Sequence, residues 1–409
     1  MNVEAIRKDF PMFENKSKKG FDLVYFDNAA TTFKPNAVIQ AVTDYYTKYS
    51  VNAHRGDYEL SYQVDTLYES VRDTVASFIN CDRKEVVFTS GTSLALNQIA
   101  YGYAQKILKE GDVVISDEAE HASNYLPWMH ACETNKAKLE FIELDEHGCV
   151  SIEKFRQAMH DRVKIVSLAH VTNVMGCTID VKEICKIAHS YGAIVVIDGA
   201  QSAPHMKVDM RDLDCDFFAF SAHKLCGPTG SGVLYGKYEL LEEMDPLMLG
   251  GGSNARYDMC GNLLMKNPPY KFESGTPAIE ATLGLKAAIE YITSIGIENI
   301  QSYESDLRAY MISEMKKLDN VIIYNEKSDS GIVTFNIKDV FSQDAATYFS
   351  DKGISLRSGQ HCAKLLMDFL DTPSTLRASL YFYNTKEEVD YFIEVCSQIT
   401  PDTFLDVFF

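Results

Sequence analysis

Short apolar segments rich in β-branched residues recur through the middle of the chain, at 85–88, 112–116, 139–143, 165–169 and 194–198. Between them the apolar positions change to helical spacing, as in Ile152, Phe155 and Met159, or Ile184, Ile187 and Ala188. Alternation of the two periods predicts a mostly parallel sheet with helices on both faces. After the Gly250-Gly251-Gly252 loop and the Pro268-Pro269 break the pattern changes. Helical stretches at 277–295 and 300–317 lead to apolar strands near Val321 and Ile332, and a last helix is predicted over 387–399. These patterns predict a large α/β domain over 20–275. A smaller α+β domain covers 276–409 and is joined by residues 1–19.

A chain of 409 residues with 46% hydrophobic and 24% charged positions is that of an ordinary folded protein of roughly two to three domains. Its net charge of −19 argues against a nucleic-acid partner, which needs a basic surface. No run approaches the ~18 apolar residues that cross a bilayer. The first residues show no secretory pattern. The ten cysteines lack a CxxC pair or compact spacing, which predicts reduced thiols in the cytoplasm and neither a disulfide framework nor a metal site.

Four clusters carry candidate chemistry. In 194–201 an apolar strand ends in Asp198, followed by Gly199, which lets the chain turn, and by Gln201. Taken alone, Asp198 reads equally well as a helix cap. Its weight comes from 217–224, where an aromatic strand runs into Ser221, His223 and Lys224. A lysine ending a buried strand makes sense as an amine held in a Schiff base to an aldehyde cofactor, since desolvation favours the neutral form. Asp198 would then keep a pyridine nitrogen protonated, so that the ring accepts electrons from a substrate carbanion. The second cluster, 89–93 with Thr92, puts hydroxyls and a glycine at a helix start, a phosphate cradle that is also a common cap. The third holds Glu120, His121 and Asn124. A lone histidine is usually structural, but here it can lie flat on a pyridine ring. In the fourth, Cys362 has Arg357, His361 and Lys364 close in sequence, and positive charge favours the nucleophilic thiolate. Gly359 predicts a mobile loop for it.

With these motifs in order, together with 25–32, 52–56, 227–230 and 272–277, the sequence resembles the class V aminotransferase-like enzymes of fold type I, which bind pyridoxal 5'-phosphate (PLP). Within them it is similar to group II (SUF-type) cysteine desulfurases. The resemblance spans about 26–385. It implies that Lys224 carries the cofactor and moves protons at the substrate α-carbon. It also implies that His121 stacks on the ring, Asp198 pairs with the ring nitrogen and Gln201 reaches the ring hydroxyl. Thr92, Ser221 and His223 hold the phosphate, with Thr276 from a neighbouring subunit, so a homodimer is expected. Asn173, Arg377 and Arg357 bind the substrate carboxylate. Cys362 takes the sulfur of L-cysteine as a persulfide, releasing alanine, for delivery to an acceptor protein.

Departures from the family pattern gather near the catalytic loop. Ala122 and Gln360 stand where many relatives have a second histidine, and Gln343 where some have one. Lys364-Leu365 replaces a segment that usually contains proline. Cys226, two residues after the lysine, reads as packing. Selenocysteine lyase, with L-selenocysteine as substrate, and another class V activity, aminotransferase or epimerase, stay open as alternatives. So does a catalytically silent scaffold in a sulfur-transfer complex. The pathway is open between iron–sulfur cluster assembly, tRNA thiolation and cofactor synthesis.

Overall fold

The computed structural model describes residues 1–54, 56–401 and 403. A seven-stranded sheet forms the centre of the larger layer. Its strands are β1 (Val86–Thr89), β2 (Val113–Asp117), β3 (Lys138–Ile142), β4 (Val163–Ala169), β5 (Ile194–Asp198), β6 (Phe217–Ser221) and β7 (Gly232–Gly236). They lie in the order β1-β7-β6-β5-β4-β2-β3, with β7 antiparallel to both its neighbours and the β6-to-β3 run parallel. This is the mostly parallel sheet the alternation predicted. Its inner strands β4, β5, β6 and β7 are mostly apolar and buried along nearly their whole length, because both faces are covered. Period-two alternation then divides the side chains: Val195, Ile197, Phe218 and Phe220 enter one core, and Val196, Phe217 and Ala219 the opposite one.

A hairpin, β8 (Asn254–Tyr257) and β9 (Leu263–Met265), projects with exposed apolar side chains. Beyond it, helix Ile279–Ile295 returns to the large layer, where Leu285, Ile289 and Ile292 join its core. The C-terminal sheet is antiparallel, with β10 (Val321–Ile323), β11 (Ile332–Ile337), β12 (Arg357–Gly359) and β13 (Thr375–Ser379) in the order β10-β11-β13-β12. Helices Ile297–Met315, Ser342–Asp351 and Lys386–Gln398 cover it around Phe335, Phe349 and Phe392. The N-terminal segment is stitched to this unit, because Val24 and Tyr25 pair with Ile354 and Ser355.

The expectation that every cysteine is a thiol is corrected. Cys149 and Cys177, 28 residues apart, form a disulfide, and Cys81, Cys132, Cys185, Cys215, Cys226, Cys260, Cys362 and Cys396 are free. Both partners sit in loops packed against one small cluster with Leu144, Val174 and Leu366, a proximity created by folding. No helix among the described residues is long and apolar enough to cross a membrane.

Candidate active site

In open α/β sheets, ligands bind beyond the carboxyl ends of the strands. A cavity of about 240 Å³ opens there, between the large sheet and the C-terminal unit. Thr92, His121, Asn173, Asp198, Gln201, Ser221, His223, Lys224, Arg357, Cys362 and Arg377 all line it. Of the candidate residues only Thr276 lies elsewhere. It accepts a hydrogen bond from Asn52 Nδ2 at 3.2 Å and borders a separate cavity with Ser90, Gly230 and Ser274.

The ends of the neighbouring strands β5 and β6, and of β1 beyond β7, set the floor. β5 delivers Asp198, whose Oδ1 accepts from the Ala200 N–H at 2.9 Å. Gly199 follows, but its backbone does not need left-handed freedom. A Cβ there would meet the Phe218 ring at 2.0 Å, so the glycine is required by the aromatic residue on β6. β6 delivers Ser221, His223 and Lys224. β1 runs through Gly91, at φ 149°, into helix Thr92–Ile99. Ser221 Oγ accepts from the Thr92 N–H at 2.8 Å, closing the two elements over the helix start. The helix dipole there favours an anion.

Lys224 is half-buried in the cavity wall. Burial pushes its amine down to about 8, opposed by the negative charge of Asp198 and aided by Arg377 and Arg357. Burial also raises the Asp198 carboxyl, while the Ala200 N–H and the Lys224 charge act to keep it ionised. His121 is held down to about 4 by burial and then by Lys224, so its ring is neutral at ordinary pH. Its Nδ1 accepts from the Ser123 N–H at 3.1 Å. His223 is likewise held at about 4, by burial first and then by Lys224 and Lys34.

The opposite wall comes from the C-terminal unit. Arg377 on β13 donates to the Asn173 carbonyl at 2.8 Å and pairs with Asp27 at 3.2 Å. His361 and Cys362 both adopt left-handed backbone angles, φ 51° and 58°. For residues other than glycine this costs roughly 1–2 kcal/mol each, and the surroundings must hold it. Asn173 Nδ2 donates to the His361 carbonyl at 2.7 Å, and the Ala122 N–H to the Cys362 carbonyl at 2.8 Å. The loop predicted as mobile is therefore tied on both sides, with the Cys362 side chain exposed. The expectation that His361 adds positive charge beside the thiol is also corrected. Burial, then the Arg377 charge, push it down to about 3, and its neutral ring faces Thr375. Arg357 and Arg377 remain as the cations of this wall.

Four buried polar atoms without a protein partner belong to residues lining this cavity: Asn173 Oδ1, Gln201 Oε1, His361 Nδ1 and Arg377 Nε. Leaving such groups unpaired is costly, so the cavity is built for a polar ligand. An amine that gives up its proton more readily than a free lysine, a carboxylate at a strand end and an anion-favouring helix start suit an aldehyde-bearing pyridine phosphate. Among the described residues no group of three or more His, Cys, Asp or Glu is arranged to hold a metal ion.

The family model for aminotransferase class V matches residues 24–392. The chain belongs to this family. Among class-V relatives, a "Probable cysteine desulfurase" of Halalkalibacterium halodurans is 44% identical, covering 95% of this chain and 96% of that protein. One from Staphylococcus aureus is 41% identical, covering 97% and 96%. The crystal structure of the cysteine desulfurase CsdA from Escherichia coli superposes with a TM-score of 0.91 at 34% identity, over 100% of this chain and 99% of that one. The apo cysteine desulfurase of Thermococcus onnurineus gives 0.92 at 38% identity, over 97% of each chain.

Some members of the class-V site were not singled out from the sequence. Ser123 lines the cavity and its Oγ bonds Ser93 Oγ at 2.7 Å. Ala29 and Ala30 also line it, and the Ala29 carbonyl accepts from Gln201 Nε2 at 2.8 Å. Asp27 matters as the partner of Arg377. Only its place in the motif at 25–32 hinted at the site, because the ion pair spans 350 positions.

Proposed function

We propose that this class-V protein is a PLP-dependent cysteine desulfurase that converts L-cysteine to L-alanine and captures the sulfur on Cys362. The observation that carries the reading is the opening of Lys224 and Cys362 into one cavity between Asp198 and Arg377. Bound there, pyridoxal phosphate supplies an aldehyde for the substrate amine and a ring that withdraws electrons from the substrate α-carbon. Asp198 would keep the ring nitrogen protonated, Gln201 and neutral His121 would also hold the ring, and Thr92, Ser221 and His223 would hold the phosphate. Lys224 Nζ takes the α-proton and later returns a proton to carbon.

Arg377, with Asn173 and Arg357, holds the substrate carboxylate, which fixes the direction of the substrate sulfur. The Cys362 thiolate attacks that sulfur. A sulfur–sulfur bond forms and the substrate carbon–sulfur bond breaks. Its electron pair stays with the carbon skeleton and is quenched by a proton, giving alanine and a Cys362 persulfide for an acceptor protein.

The working unit in this reading is a homodimer, in which Thr276 completes the partner's phosphate site. Support comes from the position of Thr276 outside its own Lys224 cavity, and from the exposed side chains of Tyr257, Met259, Leu263 and Leu264 on the β8–β9 hairpin. We read 20–275 as the cofactor-binding domain and 276–409, with 1–19, as the domain carrying the cysteine loop. Helix Ile279–Ile295, in the second range, packs Leu285, Ile289 and Ile292 into the core of the first. The test is to incubate the purified yellow protein with L-cysteine and quantify alanine and sulfide. Equal amounts of both are expected under reducing conditions, and pyruvate or no product would overturn the reading.

A further inference from the structure

The residue at the tip of the 171–178 loop touches two things at once. Val171 and Thr178 pair as an antiparallel bridge, and the Gly176 N–H donates to the Thr172 carbonyl at 3.0 Å, so the segment is a tight hairpin. The C-terminal unit clamps its tip by four successive carbonyls. Arg377 Nη1 donates to Asn173, Thr334 Oγ1 to Val174, Asn325 Nδ2 to Met175 and Ser328 Oγ to Gly176. The disulfide at Cys177 fastens its return arm. Asn173 is therefore presented on a rigid support.

From this support the Asn173 side chain donates one amide proton to the His361 carbonyl at 2.7 Å. A carbonyl only accepts, which fixes the direction of the amide. The second amide proton is free for another acceptor, and Asn173 lines the cavity shared with Arg377 and Cys362. The loop it grips is the more deformable partner, since His361 and Cys362 hold left-handed angles and Gly359 lies just before them. The turn itself is closed by the Ala363 N–H to the Gln360 carbonyl at 2.8 Å, so what the Asn173 amide sets is the placement of that turn against the 171–178 hairpin.

We propose that Asn173 is the positioning residue of the Cys362 nucleophile, setting the turn that aims its sulfur into the cavity, in addition to any contact with substrate. The inference rests on the desulfurase reading and deepens it. Nucleophile placement matters steeply, because a shift of about 1 Å from the reactive geometry can cost about 100-fold in rate. A residue that only binds the carboxylate acts differently: its loss raises KM and leaves the rate at saturation little changed.

The experiment compares wild type, Asn173→Ala and Asn173→Asp as purified holoenzymes. Asn173→Asp keeps the shape and loses the donor, which guards against misfolding of the alanine variant. First-turnover alanine formation is measured at saturating L-cysteine without added thiol, together with KM. In parallel, the rate of iodoacetamide labelling of the Cys362 peptide is followed in the cofactor-free proteins by mass spectrometry. The expected result is a fall of about 100-fold in the saturated rate of both variants, as misplacement of a reacting group implies. Cys362 labelling should change several-fold while labelling of Cys260 stays constant. A raised KM with a wild-type saturated rate and unchanged Cys362 labelling overturns the inference. If wild type itself makes no alanine, the desulfurase reading fails, and the labelling comparison still decides whether Asn173 positions Cys362.

Discussion

Lys224 shows how a single position acquires its chemistry from its surroundings. A free lysine amine is almost wholly protonated at neutral pH and is a poor nucleophile. Burial lowers this one to about 8, and Asp198 pulls in the opposite direction. The rate at which cofactor-free protein takes up PLP should therefore rise with pH and level off above about 8, as the neutral amine accumulates. Asp198 favours the charged amine, so in Asp198→Asn the inflection should move to lower pH. Stopped-flow absorbance across a pH series reads both, and a flat profile between pH 6 and 9 would contradict this account. The lysine and aspartate were legible because a charged residue ending an apolar run needs a reason. The state of His361 was not legible. Counting basic neighbours in sequence suggested a cation, whereas its charge depends on burial that only the folded chain reveals.

At the scale of elements, the alternating periods marked the sheet, and the strand ends fell where the chemistry lies. The reason for Gly199 escaped this reading. A glycine after a strand suggests a sharp turn, but here the constraint comes from the Phe218 ring on the adjacent strand. Gly199→Ala should force that ring or β5 aside and cost about 1–3 kcal/mol, the usual range for overpacking. The midpoint of urea unfolding should fall accordingly, with weaker retention of PLP because Asp198 sits next door. An unchanged midpoint would mean that the contact relaxes freely. The Cys149–Cys177 bond was illegible for the same reason, since it depends on two loops meeting over a shared apolar cluster.

The whole molecule assembles its site from distant parts. Asp27 and Arg377 meet across 350 positions, and no local pattern could join them, although the family resemblance marked Arg377. The same scale governs association. Met259, Tyr257 and Leu264 are 106%, 74% and 62% exposed on the β8–β9 hairpin, an apolar strip that invites a cover. Sedimentation should give a dimer, and the double variant Met259→Asp, Leu264→Asp should shift it toward monomer with loss of PLP affinity. A fully active, PLP-saturated wild-type monomer would contradict the shared site. If sulfur leaves L-cysteine through Cys362, turnover by Cys362→Ala reads it directly. That variant should keep the yellow colour and still change its spectrum on adding L-cysteine. Its production of alanine and sulfide should fall by several orders of magnitude, as when a covalent nucleophile is removed. Near-normal cysteine turnover by Cys362→Ala would contradict the persulfide mechanism.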